Sequence, residues 1–109
     1  MNVATERQDG HTLVRVRGEV DMNSAPELRR ALKAAVDART AVRVHLGGVA
    51  YMDSAGIAVL IEGLQWSRRA GLEYALCAMP HAVRLVVELA RLDTVFTILP
   101  DPDPATEGA

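Results

Sequence analysis

Aromatic side chains are scarce here: one Trp, one Phe and two Tyr in 109 residues. With 50% of the chain hydrophobic, a core has to come from Val, Leu, Ile and Ala. Cysteine is nearly absent. The single thiol, Cys77, has no internal partner, which excludes a disulfide framework and fits a reducing, cytoplasmic setting. A run of about 18 apolar residues is missing, so no membrane insertion is expected, and there is no charged, apolar signal region at the N-terminus. Basic residues do not outnumber acidic ones (12 against 14, formal net charge -2), so direct binding of nucleic acid is not expected. No His/Cys metal spacing, Gly-rich phosphate loop or internal repeat is found, so neither metal nor cofactor is expected.

What is present is an alternation of strand and helix patterns. Two strand patterns flank Asp9-Gly10, a hairpin turn signal. Val14 and Val16 alternate with Arg15 and Arg17, so one face of that strand is buried and the other wet. Gly18 to Met22 reads as a turn. "SAPE" at Ser24–Glu27 reads as a capping box, opening a helix with Leu28, Ala31, Leu32, Ala35 and Val36 on one stripe and an end near Ala38. Thr40 to Leu46 alternates again, and Gly47-Gly48 breaks the run. A second helix carries Ile57, Leu60, Ile61 and Leu64 and closes at Gly71. Leu72 to Met79 reads as a more fully buried strand. Pro80 opens a third helix, and Thr94 to Leu99 forms a last strand.

The expected fold is therefore α/β in the order β-β-α-β-α-β-α-β, with a mainly parallel sheet behind an N-terminal hairpin. Arg15, Arg17, Arg43 and His45 would leave one sheet face polar, putting the helices on the other. Because crossovers are right-handed, helices on one side require strands added in one direction. The expected domain is 1–99, with 100–109, "PDPDPATEGA", a disordered acidic and Pro-rich tail.

The segment "YMDSAG" places Ser54 where a strand hands over to a helix. Ser54 or Asp53 caps that helix; or Ser54 is a nucleophile; or it accepts a covalent phosphate. The nucleophile reading lacks the first glycine of the G-x-S-x-G elbow, which is Met52 here, and His81 is the one histidine placed to act as a base. The phosphate reading has a physical basis, because a helix N-terminus offers free N–H groups and positive potential. Gly56 would leave the backbone accessible beside the hydroxyl. Asp21, Met22, Asn23 and Ser24, before the first helix, are candidate partner contacts together with Asp53, Gly56 and Ile57. Trp66 lies off the second helix's stripe, at a core edge, and Arg68-Arg69 suits that helix's C-terminal dipole.

At these residues the chain resembles the STAS domain family, and within it the bacterial anti-sigma factor antagonists. The resemblance rests on "VRGEVDMNSAPELRRAL", "VHLGGVAYMDSAGIAVLIEG" and "VRLVVELARLDTVFTI", with the D-S-x-G segment the most specific piece. It implies the STAS fold and a partner switch rather than an enzyme. An anti-sigma factor that is itself a serine protein kinase phosphorylates the serine matching Ser54. The unphosphorylated domain binds that kinase and frees a sigma factor, and a serine phosphatase resets it. The alternative is a STAS module that does not switch: a signalling scaffold or a lipid-transport subunit. Family members often carry Gly at the end of the third helix, where this chain has Arg91, and a small Gly where it has Ala58.

Overall fold

The computed structural model describes residues 1–100. Strands β1 (Asn2–Gln8) and β2 (His11–Val20) form the hairpin, with Gln8 opposite His11 and Gly10 at a φ of 77° in the turn. After them come α1 (Ala25–Asp37), β3 (Ala41–Met52), α2 (Ser54–Ala70), β4 (Tyr74–Cys77) and α3 (His81–Leu89). The sheet order is β1-β2-β3-β4, antiparallel at the first pair and parallel at the other two. Strands are added in one direction, as helices on one side require.

The last strand is reduced to a single parallel bridge between Leu76 and Ile98. Before it, Val95 and Phe96 donate their N–H groups to the Leu92 carbonyl at 3.0 and 3.1 Å, and this turn uses up residues the pattern assigned to a strand. The expected tail over 100–109 lies, apart from Pro100, outside the described residues.

Boundaries differ from the sequence reading in β2, β3 and β4, the last covering only Tyr74–Cys77 of the expected Leu72 to Met79. β2 does not turn at Gly18 but runs on to Val20, with Gly18 at a φ of +88° beside a register shift. β3 passes unbroken through Gly47-Gly48. Opposite β2 it carries an extra residue between His45 and Gly48 and another between Val49 and Tyr51. Each bulge shifts the side-chain phase by one, so the buried positions of β3 run Val42, Val44, Leu46, Val49, Met52. A period-2 pattern cannot be followed across that change.

One core joins all three helices to one face of the sheet: Leu28 and Leu32 from α1, Leu60 and Leu64 from α2, Val83 and Val87 from α3, against Val14, Val16, Val44, Leu46 and Leu76. Full burial of such a side chain stabilises by about 1.5–3 kcal/mol. Arg15, Arg17, Arg43 and His45 alternate with these residues on the opposite face of the sheet. Of the buried polar side chains, Thr12 and Thr40 are paired, whereas the Ser67 hydroxyl in α2 has no hydrogen-bond partner among the described residues. Thr12 Oγ1 donates to Thr40 Oγ1 at 2.7 Å, and Thr40 in turn donates to the Ala35 carbonyl at 3.1 Å.

All three helices close with a left-handed residue. Arg39 at a φ of 62°, Gly71 at 72° and Arg91 at 57° each follow the last turn. At each one the N–H groups of that residue and the next fold back onto helix carbonyls, as in Leu72 N–H to Ser67 O at 2.8 Å and Leu92 N–H to Val87 O at 2.8 Å. Gly71 was legible as a cap. Arg91 completes the same closure although it carries a side chain.

Candidate functional site

β2 and β3 end side by side, with Val20 opposite Met52 and the Asp53 N–H donating to the Val20 carbonyl at 3.1 Å. This pairing brings the loop before α1 against the start of α2, at the carboxyl edge of the parallel strands where open α/β sheets tend to carry their sites. Asp21 through Ser24 and Asp53 through Ile57 therefore adjoin, although about thirty residues separate them in sequence.

The helix cap is Asp53. It has extended backbone angles, and its Oδ1 accepts the N–H groups of Ala55 at 2.9 Å and Gly56 at 3.4 Å. Ser54 is the first residue of α2, exposed, and its hydroxyl makes no hydrogen bond among the described residues. Capping therefore leaves the Ser54 hydroxyl unused. It is also unpaired with any base: His81 begins α3 and is exposed, with no hydrogen bond to Ser54.

The expected capping box at Ser24 does not form. Ser24 makes no side-chain cap bond to its helix. Its Oγ instead accepts the Asp21 N–H at 2.9 Å and donates to the Glu19 carbonyl at 3.0 Å. Asp21 takes over: its Oδ1 accepts from Ser24 N–H at 3.0 Å and Asn23 N–H at 2.9 Å, and its carbonyl accepts from Ala25 N–H at 2.8 Å. The N–H of Ser24, joined by that of Asn23, holds the Asp21 carboxyl below its ordinary range, against the opposing effect of desolvation. Asp21 and Asp53 are thus both fastened to backbone amides, one at the foot of each helix.

Of the candidate contacts, Met22, Asn23 and Ser54 are exposed and Asp21, Ser24 and Asp53 half-buried. Gly56 and Ile57 are buried, Ile57 in the core. Gly56 serves close packing rather than backbone access: a Cβ there would lie 2.6 Å from Met52 Cγ and 2.9 Å from Val20 Cγ1. The sequence alone assigned Tyr51 no role. The second bulge turns Tyr51 out of the core, and it is 51% exposed at the same edge as Met22, itself 77% exposed. The signal was there in an apolar triplet, Val49 to Tyr51, too irregular for alternation. Exposed aromatic and Met side chains of this kind are typical interface residues.

Among the described residues no group of three His, Cys, Asp or Glu side chains is placed to hold a metal ion, and no helix is long and apolar enough to cross a membrane.

The STAS domain model matches residues 2–105. The anti-sigma-B factor antagonist of Staphylococcus aureus is 35% identical over 90% of this chain and 92% of its own length. That of Listeria monocytogenes is 28% identical, covering 90% of both chains. Among solved structures, an anti-sigma factor antagonist from Mycobacterium paratuberculosis superposes with a TM-score of 0.82 at 28% identity, over 98% of this chain and 92% of that one.

Proposed function

The chain belongs to the STAS domain family, and from that membership we propose that it is an anti-sigma factor antagonist switched by phosphorylation of Ser54. The observation that carries the proposal is the division of labour at the start of α2: Asp53 caps, and the adjacent Ser54 hydroxyl stands exposed and uncommitted. The relatives' role supplies the partner class, an anti-sigma factor, here one with serine kinase activity, and a serine phosphatase to reverse the modification. In this reading the protein is a kinase substrate and a binding module and has no catalytic role of its own.

The unmodified edge docks through Asp21 to Ser24, Tyr51, Asp53 and Ser54. Phosphorylation adds about -1.5 to -2 charges at pH 7. These arrive beside Asp53 and close to Asp21, on a surface shaped for a neutral hydroxyl. Like-charge juxtaposition at an interface costs several kcal/mol, and a loss of about 3 kcal/mol weakens affinity more than 100-fold. The helix N-terminus tolerates the anion, so the fold is kept while the surface changes.

Calorimetric titration of the anti-sigma kinase, with ADP present, tests this. Unmodified protein and Ser54→Ala are expected to bind alike, the phosphoprotein at least 100-fold more weakly, and Ser54→Asp in between, with one charge and a shorter reach. Equal affinity of the phosphorylated and unmodified forms would refute the switch even if Ser54 were the residue modified.

A further inference from the structure

The face of the sheet turned away from the helices carries Arg15 and Arg17 on β2 and Arg43 on β3, above Leu13, Ala75 and Cys77, which are buried outside the helix-side core. Arg15 pairs with Glu6 at 3.0 Å. Arg17 and Arg43 make no ion pair with another described residue. Burial pushes the Cys77 thiol up, while Arg43 and Arg15 pull it down, so the positive field reaches the floor of this face.

The described chain leaves the fold here. The Leu99 N–H donates to the Leu76 carbonyl at 2.8 Å beside β4. Leu99 and Pro100 then help wall a cavity of about 400 Å³ that is shared with Leu13, Arg15, Arg43 and Cys77. The next residues in sequence are "DPDPATEGA", with acids at Asp101, Asp103 and Glu107 and prolines at Pro102 and Pro104.

We propose that this cationic sheet face is the docking surface for the chain's own acidic segment, residues 101–107. Three observations converge on that occupant. Its charge is opposite to that of the face. Its attachment point, Pro100, already lines the cavity, so the segment is held at an effective concentration of order mM, at which weak ion pairs suffice. Its alternating prolines restrict φ, which lowers the ordering cost of binding. Docking would cover the face that the helices leave bare and leave the Ser54 edge open.

The test compares amide chemical shifts of the full chain with those of a triple variant, Asp101→Asn, Asp103→Asn, Glu107→Gln. None of the described core residues is altered, so both proteins are expected to fold. Shift changes at Arg15, Arg17, Arg43 and Cys77, reproduced in the unsubstituted chain by raising the salt concentration, are the expected result. In the converse variant, Arg43→Glu, the amides of 101–107 should move toward random-coil values. Changes limited to the immediate neighbours of the substituted residues would overturn the proposal. So would face resonances that move with protein concentration, which would make a second copy the occupant. Inorganic phosphate shifting the same resonances equally in both proteins would assign the face to free anions instead, and would also overturn it.

Discussion

Replacing Asp53 with alanine removes the carboxylate that accepts the N–H groups of Ala55 and Gly56, a loss of about 0.5–2 kcal/mol. Replacing Ser54 removes a hydroxyl that bonds nothing among the described residues, and an exposed change of that kind stays within about 0.5 kcal/mol. Urea titration of the two variants should therefore rank Asp53→Ala clearly below Ser54→Ala. The reverse order would make Ser54 the structural residue of the pair. Asp21 adds a pH dependence. Its folded pKa lies below the ordinary value of 3.8 because backbone N–H groups bind the carboxylate. Its contribution is thus fully present above that ordinary value and is lost as pH falls through the lowered one. Asp21→Asn should lower stability near neutrality, where the carboxylate contributes fully, and flatten the dependence of stability on pH in this acid window.

At the level of elements, the helix ends and one helix–strand contact are most exposed to a single change. Arg91 occupies a left-handed position at a φ of 57°, a conformation that costs a side-chain-bearing residue about 1–2 kcal/mol and glycine very little. Arg91→Gly should accordingly raise the unfolding free energy by up to about 1 kcal/mol in denaturant titration, with α3 otherwise unchanged. Gly63 in α2 faces Tyr74 of β4, and a Cβ there would stand 2.8 Å from the Tyr74 ring and hydroxyl. That hydroxyl donates to the Leu60 carbonyl at 2.8 Å and cannot retreat without losing its bond. Gly63→Ala should destabilise by about 1–3 kcal/mol, as overpacking does. A neutral result would mean that α2 slides freely over β4. Trp66 contributes on the outer side of the helix pair, where Arg29 and Lys33 of α1 lie 5.9 and 6.0 Å from its ring centre and Arg29 also pairs with Glu62 at 2.8 Å.

For the molecule as a whole, side chains from every helix and from β2, β3 and β4 meet in a single core, so unfolding should be one cooperative transition. Phosphorylation of Ser54 tests whether the proposed switch acts on the surface or on the fold. A phosphate at a helix N-terminus gains about 0.3–1 kcal/mol from the dipole, offset by repulsion from the Asp53 carboxylate. The midpoint of thermal unfolding should shift by only a few degrees, since ~1 kcal/mol corresponds to about 4–8 °C in a domain this small. A phosphoprotein that melts far below the unmodified one would instead place the switch in the fold.

The order of elements, the hairpin at Asp9-Gly10, the stripes of α1 and α2, the Gly71 cap and the site's local signature at Asp53-Ser54 follow from the sequence, because each rests on contacts within a few residues. Sheet order and the one-sided helices followed too, since the handedness of crossovers turns the Arg15/Arg17 alternation into a topology. Other features were decided only when strands met. The two bulges of β3 depend on β2 lying beside it with fewer residues, so Gly47-Gly48 reads as a break in one dimension and as a continuous strand in three. Ser24 gives up its helix for Glu19 and Asp21 because the end of β2 brings a carbonyl within 3.0 Å of its hydroxyl. Burial sorts Ile57 into the core and turns Tyr51 out, although both are apolar residues beside the same motif. Local pattern carries short-range information; which hydroxyl, carboxylate or ring is left over for a partner depends on pairings between segments distant in sequence, which form only as the chain closes on itself.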